Sequence, residues 1–289
     1  MSAFVTSGAG VGGGGLGNQL FRIAATLDYA NKYNKIPIFG NLNINYYTKA
    51  MLLLNKCYTE FFNNKLNVIS LEEFKSINFT KFEEIHSRKY THFPNHEGNV
   101  YIGSYLECYK YISDSTRDKM NELIKSNPEF VNIANSLFNI IKKHFNDTNE
   151  ENYMFIHFRR GDVSENNPAE YNFDYIQKAY EKIKSIKNNQ EMNVVVFSDD
   201  INWCYDNVKC FPKVYFLDNI SNQYIELILM SMFNSGILTQ IGYHGSTTNF
   251  HRSSFSWWGA FLGNKNKTIT IPDRSDETSD YYLPEWIEV

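Results

Sequence analysis

The feature that most constrains the fold is a regular alternation of apolar runs and helical segments in the second half of the chain. The apolar runs, each followed by a polar turn or a helical period, lie at residues 153–158, 193–197, 214–217, 236–241 and 268–271. They are continuous, without alternating polar residues, which is typical of strands buried on both faces. Strands that alternate with helices form parallel sheets covered by helices. We therefore predict an α/β fold with parallel sheets.

The first half of the chain is less regular but follows the same scheme. It has short predicted strands at residues 35–39 and 99–103. Helical periods lie at residues 18–30, 46–62, 71–77 and 113–125, and a further helix begins at Pro128. Polar residues 146–152 interrupt the pattern. We therefore predict an N-terminal domain of residues 1–147, which carries a glycine-rich loop, and a C-terminal domain of residues 148–289.

Composition excludes several classes of protein. The formal net charge of −4 argues against a nucleic-acid carrier. No run approaches the roughly 18 apolar residues of a membrane span, and the N-terminus lacks the pattern of a signal peptide. The four cysteines form neither a C-x-x-C pair nor a metal-ligand spacing, which indicates free thiols in a reducing compartment. We predict a cytoplasmic protein without a transmembrane segment, either free or associated peripherally with the membrane surface.

Polar residues gather where the predicted strands end, and ligands bind beyond the carboxyl ends of parallel strands. One strand contains His157 and leads into two arginines and an aspartate, and the next leads into a serine and two aspartates. A third leads to serines at the start of the last helix. These residues are Arg159, Arg160, Asp162, Ser198, Asp199, Asp200, Ser253, Ser254 and Ser256.

Each group also has an ordinary structural interpretation. The arginines could pair with surface carboxylates, Asp199 and Asp200 could cap the helix that starts at Ile201, and the serines could cap a helix that buries Trp257 and Trp258. The coincidence of all three groups on one sheet edge favours a ligand site.

Phosphate is the ligand that best fits these side chains. Paired guanidinium groups suit bidentate contact with phosphate oxygens. Serines at a helix N-terminus add donors where the helix dipole favours an anion. A carboxylate nearby accepts from the N–H edge of guanine or from a ribose hydroxyl. The sum is a site for a nucleoside diphosphate.

The glycine-rich loop at residues 12–17 leads into a helix that begins near Gly17 and Asn18, and it is a second candidate for phosphate contact. The loop also satisfies G-x-G-x-x-G through Gly8, Gly10 and Gly13, of which Gly8 and Gly10 precede it, but with so many glycines this pattern is matched by chance. A dinucleotide site, however, requires an acidic residue after the second strand, and here Gly40 and Asn41 follow instead. The chain contains no P-loop motif.

Together these motifs resemble the α-1,2-fucosyltransferases of glycosyltransferase family eleven. The landmarks, in order, are GGLGNQLF at 14–21, HFRRGD at 157–162, FSDDINW at 197–203, LMS at 229–231, SSFSWWGAFL at 253–262 and PEWIEV at 284–289. The resemblance implies a GT-B fold of two facing Rossmann-like domains and an inverting transfer of L-fucose. The implied donor is GDP-β-L-fucose, the acceptor is a β-galactoside-type glycan, and neither a metal nor another cofactor is required.

The resemblance also implies roles for individual residues. Arg159 would grip the β-phosphate with Arg160 as its partner. From its position directly after the arginines we predict that Asp162 holds a guanidinium in place, and a role as base toward the acceptor hydroxyl is the alternative. The implied contacts with guanine are His157 and one of Asp199 and Asp200, with Ser198 beside them. The implied contacts with the diphosphate are Ser253, Ser254 and Ser256. Gly17 and Asn18 would contact the donor from the other domain.

Two alternatives stay open, namely another GDP-sugar or deoxysugar donor, and a nucleotide-sugar-binding protein without catalysis. The chain departs from relatives in residues 240–252, which resemble an insertion and which we predict to be a mobile loop beside the donor site. The sequence does not identify a general base.

Overall fold

The structure, a computed structural model, describes residues 3–8, 14–41, 62, 64–160, 169–188, 190–218, 220, 222–243, 250–272 and 280–289. The chain forms two compact units. The N-terminal unit comprises Met1–Phe130 with Thr278–Leu283, and the C-terminal unit comprises Val131–Glu277 with Pro284–Val289.

The division between the units falls earlier than the predicted boundary at residues 147 and 148. The helix before the polar stretch belongs mainly to the C-terminal unit, because its aromatic side chains pack there. The ring of Phe138 lies 5.5 Å from that of Tyr153 and 5.3 Å from that of Phe233. The polar stretch therefore ends a helix without ending a unit.

The N-terminal unit is built on a short parallel sheet. Its described strands are β1 (Phe4–Ser7), β2 (Ile36–Pro37), β3 (Phe39–Asn41), β4 (Val68–Ser70), β5 (Thr80–Phe82) and β6 (Val100–Ile102). Within the described ranges, one parallel sheet has the order β2-β1-β6-β5, and β3 pairs with β4 separately. The predicted strand at 35–39 is thus two strands of different sheets: the Ile38 N–H still donates to the Val5 carbonyl oxygen of β1, whereas the Phe39 N–H donates to the Asn67 carbonyl oxygen next to β4.

The described helices of this unit are α1 (Leu16–Tyr33), α2 (Leu71–Ser76) and α3 (Asp114–Ile124). Helix α1 packs on β1 and β2, α2 packs on β3 and β4, and α3 packs on α1. Leu20, Phe21 and Ile23 of α1 are fully buried, and Asn34 ends the helix in the left-handed conformation, with φ at 51°. The predicted helix at 46–62 falls almost entirely on residues outside the described ranges.

The C-terminal unit contains the sheet that the sequence pattern predicts most clearly. Its strands are β7 (Tyr153–Phe158), β9 (Asn193–Ser198), β10 (Val214–Phe216), β11 (Ser235–Ile237), β14 (Thr268–Ile271) and β15 (Ile287–Glu288). In the described part of the chain their order is β10-β9-β7-β11-β14-β15, and every pair is parallel. The helices in the described part of this unit are α4 (Pro128–Phe145), α5 (Phe173–Ile186), α6 (Ile201–Asn207), α7 (Gln223–Met232) and α8 (Ser254–Phe261).

Burial on both faces explains the continuous apolar strands. All six residues of β7 are buried, and Ile156 packs in one cluster with Ile176 and Tyr180 of α5. Such side chains contribute about 1.5–3 kcal/mol each on burial. On the other face, a Cβ at Gly236 would lie 2.4 Å from the ring of Phe155, so only glycine fits there.

A small antiparallel sheet accompanies the main one and corrects the prediction for residues 240–252. It consists of β8 (Ala169–Tyr171), β12 (Gln240–Tyr243) and β13 (Phe250–Arg252), in the order β13-β12-β8. The prediction of a loop is wrong for both ends of this segment, which are strands. Its middle, residues 244–249, lies outside the described ranges, as does much of the stretch that precedes β8.

No helix in the described residues is long and apolar enough to span a membrane.

Candidate active site

The parallel register of β7 and β9 brings two strand ends side by side. His157 lies opposite Phe197, and Phe158 lies opposite Ser198. The Ser198 hydroxyl donates to the Phe158 carbonyl oxygen at 2.8 Å and accepts from the Asp200 N–H at 3.0 Å. Ser198 therefore joins the end of β7 to the turn that follows β9.

Arg160 is held on two sides at this edge. Its backbone N–H donates to Asp199 Oδ1 at 2.6 Å, and its Nε donates to Asp200 Oδ2 at 3.1 Å. The guanidinium carbon lies 4.0 Å from the centre of the Trp203 ring, a cation–π distance. The side chain is only 12% exposed, and its buried Nη1 has no hydrogen-bond partner in the described residues. The Arg160 guanidinium is therefore held in place, while one of its N–H donor groups has no partner in the described residues.

Arg159 precedes it and has a fixed backbone. The Tyr171 hydroxyl donates to the Arg159 carbonyl oxygen at 2.6 Å. Burial and the charge of Asp199 raise the pKa of this tyrosine far above its ordinary value, so it remains a neutral donor. Tyr171 lies in β8, which links the small sheet to the strand end.

His157 is neutral at this site. It is 5% exposed, and its ring packs 5.4 Å from that of Phe255 in α8. Burial lowers the pKa of His157 to about 4, Asp199 opposes this shift and Arg159 adds to it. Its buried Nδ1 has no hydrogen-bond partner in the described ranges. A neutral imidazole has one donor and one acceptor nitrogen, which suits the edge of a base.

The third strand end also meets the site. Thr239, which follows β11, donates its hydroxyl to the His157 carbonyl oxygen at 2.9 Å. Phe255, which packs on His157, places the start of α8 beside the same strand end. The predicted convergence of the ends of β7, β9 and β11 is therefore observed.

Some of these residues also cap helices, as their ordinary structural interpretation predicts. Asp200 caps α6 by accepting from the Trp203 N–H, and Ser253 caps α8 by accepting from the Ser256 N–H. Ser256 donates its hydroxyl to the Ser253 carbonyl oxygen, and it is 1% exposed. Ser254 is also buried. Both oxygens of Asp200 have partners, so this carboxylate positions Arg160 and the helix.

The remaining predicted residues lie elsewhere. Asp162 falls outside the described residues. Gly17 and Asn18 lie in the first turn of α1, in the N-terminal unit. Gly14, just before the helix, has φ at +109°, and a Cβ there would lie 2.7 Å from Asn18 Nδ2. Glycine is thus required for the loop to pass against Asn18.

Sequence reasoning missed Glu226, in the first turn of α7. Burial, with the charge of Asp199, raises the pKa of Glu226 to about 8. At neutral pH this half-buried carboxyl is mainly protonated. The signal in the sequence was a single acidic residue within the apolar stretch YIELILM at 224–230. Trp203 and Tyr171, which hold the arginines, were missed too.

Among the described residues, no group of three or more histidine, cysteine, aspartate or glutamate side chains is placed to hold a metal ion.

Comparison with known proteins places these residues in context. The family model described as "Glycosyl transferase family 11" matches residues 14–289. The chain is 28% identical over 280 residues to an alpha-1,2-colitosyltransferase of Escherichia coli, which covers 89% of this chain and 88% of that protein. It is 24% identical to a putative galactoside 2-alpha-L-fucosyltransferase, svh-11, of Caenorhabditis elegans, over 94% of this chain and 75% of that protein.

A third relative matches over a shorter region. The O-antigen biosynthesis glycosyltransferase WbnK of Escherichia coli is 29% identical over 188 residues. This match spans 61% of the present chain and little more than half, 56%, of WbnK.

Solved structures are similar in fold. The α-1,6-fucosyltransferase NodZ soaked with GDP-fucose aligns with a TM-score of 0.51 at 14% identity, over 91% of this chain and 93% of NodZ. NodZ from Bradyrhizobium in another crystal structure gives a TM-score of 0.52 at 13% identity, over 91% and 94% of the two chains. At these identities the likeness shows the fold alone. It confirms the predicted α/β fold of GT-B type.

Proposed function

The chain belongs to glycosyl transferase family 11, and we propose that it is an inverting α-1,2-fucosyltransferase. The proposed reaction moves L-fucose from GDP-β-L-fucose to the 2-hydroxyl of a β-galactoside-type glycan. The observation that carries the proposal is the arginine pair at the end of β7, in which Arg160 is held by Asp200 and Trp203.

The leaving group explains why two cations follow a buried strand. When the bond from the anomeric carbon to the diphosphate breaks, negative charge builds on the β-phosphate. Donors that are already oriented stabilise this charge more in the transition state than in the ground state, and so they raise the rate. We assign Arg159 to the β-phosphate and Arg160 to its support, with Asp162 as a further residue that holds a guanidinium.

Contacts within the C-terminal unit refine the proposed recognition of guanine. Asp200 is committed to Arg160 and to the N-terminus of α6. Asp199 in turn accepts from the Arg160 N–H, and we propose that one carboxylate of this pair contacts guanine together with the neutral ring of His157. Glu226 adds a second carboxyl group near Asp199. Guanine presents both acceptors and N–H donors, which this mixed set matches.

The serines Ser253, Ser254 and Ser256 remain proposed diphosphate contacts through the N-terminus of α8. Gly17 and Asn18 remain proposed phosphate contacts from the N-terminal unit. We propose that no divalent metal is required, because the two arginines supply the positive charge that a metal would otherwise give.

The proposed α-1,2 linkage has more support than the proposed identity of the transferred sugar, L-fucose. The names of two relatives specify the 2-position, since one is named a putative galactoside 2-alpha-L-fucosyltransferase and the other an alpha-1,2-colitosyltransferase. The second name favours a second candidate function, the α-1,2 transfer of another deoxysugar such as colitose. Loss of catalysis with retained nucleotide-sugar binding is the third candidate, and the intact arginine pair argues against it.

A two-stage experiment tests the proposal. First, a thermal-shift panel compares GDP with UDP, ADP and NAD, and we expect GDP to stabilise most. Second, the protein is incubated with GDP-fucose and a β-galactoside, and NMR identifies the linkage in the product. An α-1,2-fucosyl product is expected. Best stabilisation by UDP or NAD would overturn the donor, and a product linked at another hydroxyl would overturn the linkage.

A further inference from the structure

The carboxyl ends of the N-terminal sheet carry a second cluster of chemically useful side chains. Glu83 follows β5, and Ser104 and Tyr105 follow β6. Arg22 of α1 and Tyr101 of β6 contact this edge. We call Arg22, Glu83, Tyr101, Ser104 and Tyr105 the Tyr105 cluster. Carboxyl ends of parallel strands are the usual place for ligands in α/β sheets.

The Tyr105 ring is held at the surface by an unusual backbone. It is 45% exposed, whereas the next residue, Leu106, is fully buried. Ser104 and Leu106 on either side have φ angles of 77° and 58°, in the left-handed region. Residues other than glycine adopt this conformation at a cost of roughly 1–2 kcal/mol. The Leu106 N–H donates to Glu84 Oε2 at 3.0 Å, which helps to enforce the turn. Such strain is typical of functional segments.

Arg22 supports the ring from behind. Its guanidinium carbon lies 4.9 Å from the centre of the Tyr105 ring, and its Nε donates to the Ser104 carbonyl oxygen at 3.1 Å. Arg22 itself is only 6% exposed. The buried cation therefore covers one face of the ring and fixes its position. The exposed surface of Tyr105 is therefore the part of its ring that Arg22 does not cover.

Glu83 and Tyr101 provide polar groups beside the ring. The Ser104 hydroxyl donates to Glu83 Oε2 at 3.4 Å. A Cβ at Gly103 would lie 2.1 Å from the same oxygen, so glycine lets the carboxylate lie directly against the backbone. Burial and the charge of Glu83 raise the pKa of Tyr101 while Arg22 lowers it, which places both charges near its hydroxyl.

We propose that the Tyr105 cluster is the subsite for a sugar ring of the glycan acceptor. This inference rests on the proposed function. A pyranose has a face of C–H groups that packs on a flat aromatic ring, and a rim of hydroxyls that donate to a carboxylate. Tyr105 provides the ring, Glu83 the carboxylate, and Tyr101 a hydroxyl that both donates and accepts. Because Arg22 and the strained turn hold Tyr105 before the ligand arrives, binding costs little ordering.

The test compares two tyrosines of the same unit. Tyr105→Ala removes the proposed platform, and Tyr90→Ala is the matched control, because Tyr90 is 39% exposed and lies outside the cluster. We expect Tyr105→Ala to raise the KM for the acceptor about tenfold and Tyr90→Ala to leave it unchanged. Tyr105→Phe should restore most of the affinity. Glu83→Gln should raise the KM severalfold, since an amide accepts more weakly than a carboxylate.

Donor measurements separate this proposal from the proposed function. In Tyr105→Ala, the Kd for GDP and the rate of GDP-fucose hydrolysis without acceptor should equal those of the wild type. A wild-type acceptor KM in Tyr105→Ala would overturn the subsite, as would a loss of GDP affinity as large as the rise in KM. Wild-type protein that neither binds GDP nor cleaves GDP-fucose would overturn the proposed function instead.

A direct binding measurement keeps the subsite testable in that case. Saturation-transfer NMR with methyl β-galactoside should show binding to the wild type and to Tyr90→Ala, and loss of binding in Tyr105→Ala. Equal signals from all three proteins, or no signal from the wild type, would overturn the proposal.

Discussion

The carboxyl edges of the two parallel sheets are organised differently. In the C-terminal unit, the groups at the strand ends bind one another: the Arg160 side chain, only 12% exposed, contacts Asp200 and Trp203, and the Arg160 N–H donates to Asp199. In the N-terminal unit, the corresponding edge presents Tyr105, which is 45% exposed. The C-terminal edge is a set of charged groups held in place, and the N-terminal edge is an exposed aromatic ring with polar neighbours.

The difference fits the two substrates of the proposed reaction. A diphosphate leaving group requires cations that are oriented beforehand, since reorientation during the reaction would cost part of the stabilisation. A neutral sugar is recognised by surface packing and hydrogen bonds to hydroxyls. We therefore expect substitutions at the C-terminal edge to change the rate of donor cleavage, and substitutions at the N-terminal edge to change acceptor affinity.

The largest effect is expected for Arg159→Lys. Lysine keeps the charge but loses the two-pronged geometry of the guanidinium. The transfer rate should fall by roughly 10²–10³, the usual scale for losing one such donor. The Kd for GDP-fucose should change less, because the developing charge exists only in the transition state. Single-turnover kinetics and calorimetry measure the two quantities.

Arg88→Lys is a matched control in the N-terminal unit. Arg88 lies outside the candidate site, and its Nε donates to Glu107 Oε2 at 2.9 Å. Its replacement should lower the melting temperature and leave the rate of GDP-fucose hydrolysis unchanged. Turnover near that of the wild type in Arg159→Lys would show that this arginine is structural.

A smaller effect is expected for Trp203→Leu, which removes the ring beneath the Arg160 guanidinium. Loss of a cation–π contact of about 1–2 kcal/mol should lower kcat about tenfold. Phe173→Leu is the control, since the Phe173 ring packs 6.4 Å from that of Trp203. If Trp203 acts through Arg160, its effect should shrink in an Arg160→Lys background. Full additivity of the two effects in this cycle would mean that Trp203 contributes only to packing.

Glu226→Gln should change the pH dependence of stability. The folded pKa of Glu226 is raised to about 8, from an ordinary value of 4.5. Between these values the folded state binds more protons than the unfolded state, so wild-type stability falls as pH rises. Glutamine stays neutral and removes this loss. The melting temperature of the variant relative to the wild type should therefore rise by a few degrees between pH 5 and pH 8.

A pH-independent difference between Glu226→Gln and the wild type would mean that the pKa of Glu226 is not raised in the folded protein.

The smallest expected effect is that of a chelator. EDTA should leave the transfer rate within about twofold of its value in buffer, because Arg159 and Arg160 supply the positive charge at the leaving group. Activity that disappears in EDTA and returns with manganese would contradict metal-independent transfer.

The sequence predicted the C-terminal sheet well because its strands are buried on both faces. Continuous apolar runs marked β7, β9 and β14 to within a residue. It failed where the signal was weak or non-local. The strands β8 and β13 are only three residues long, too short for a periodic signal, and they pair with β12. The unit boundary was misplaced because the packing of Phe138 depends on tertiary contacts.

The candidate site shows the same limit. Strand ends rich in charge were visible as motifs, and the meeting of Arg160 with Asp199 and Asp200 follows from parallel pairing. The raised pKa of Glu226 depends on burial, and the placement of Tyr105 depends on left-handed backbone at Ser104 and Leu106. Neither serine nor leucine favours that conformation, so local sequence carried no signal for the Tyr105 cluster.

The most direct test of this division of labour is the ratio of acceptor transfer to GDP-fucose hydrolysis in two variants, assayed side by side at one acceptor concentration below KM. We expect Arg159→Lys to slow both reactions by similar factors, so that the ratio stays near that of the wild type. Tyr105→Ala should slow transfer alone and lower the ratio about tenfold. An unchanged ratio in Tyr105→Ala, or a ratio that falls equally in both variants, would contradict the assignment of donor cleavage and acceptor binding to the two edges.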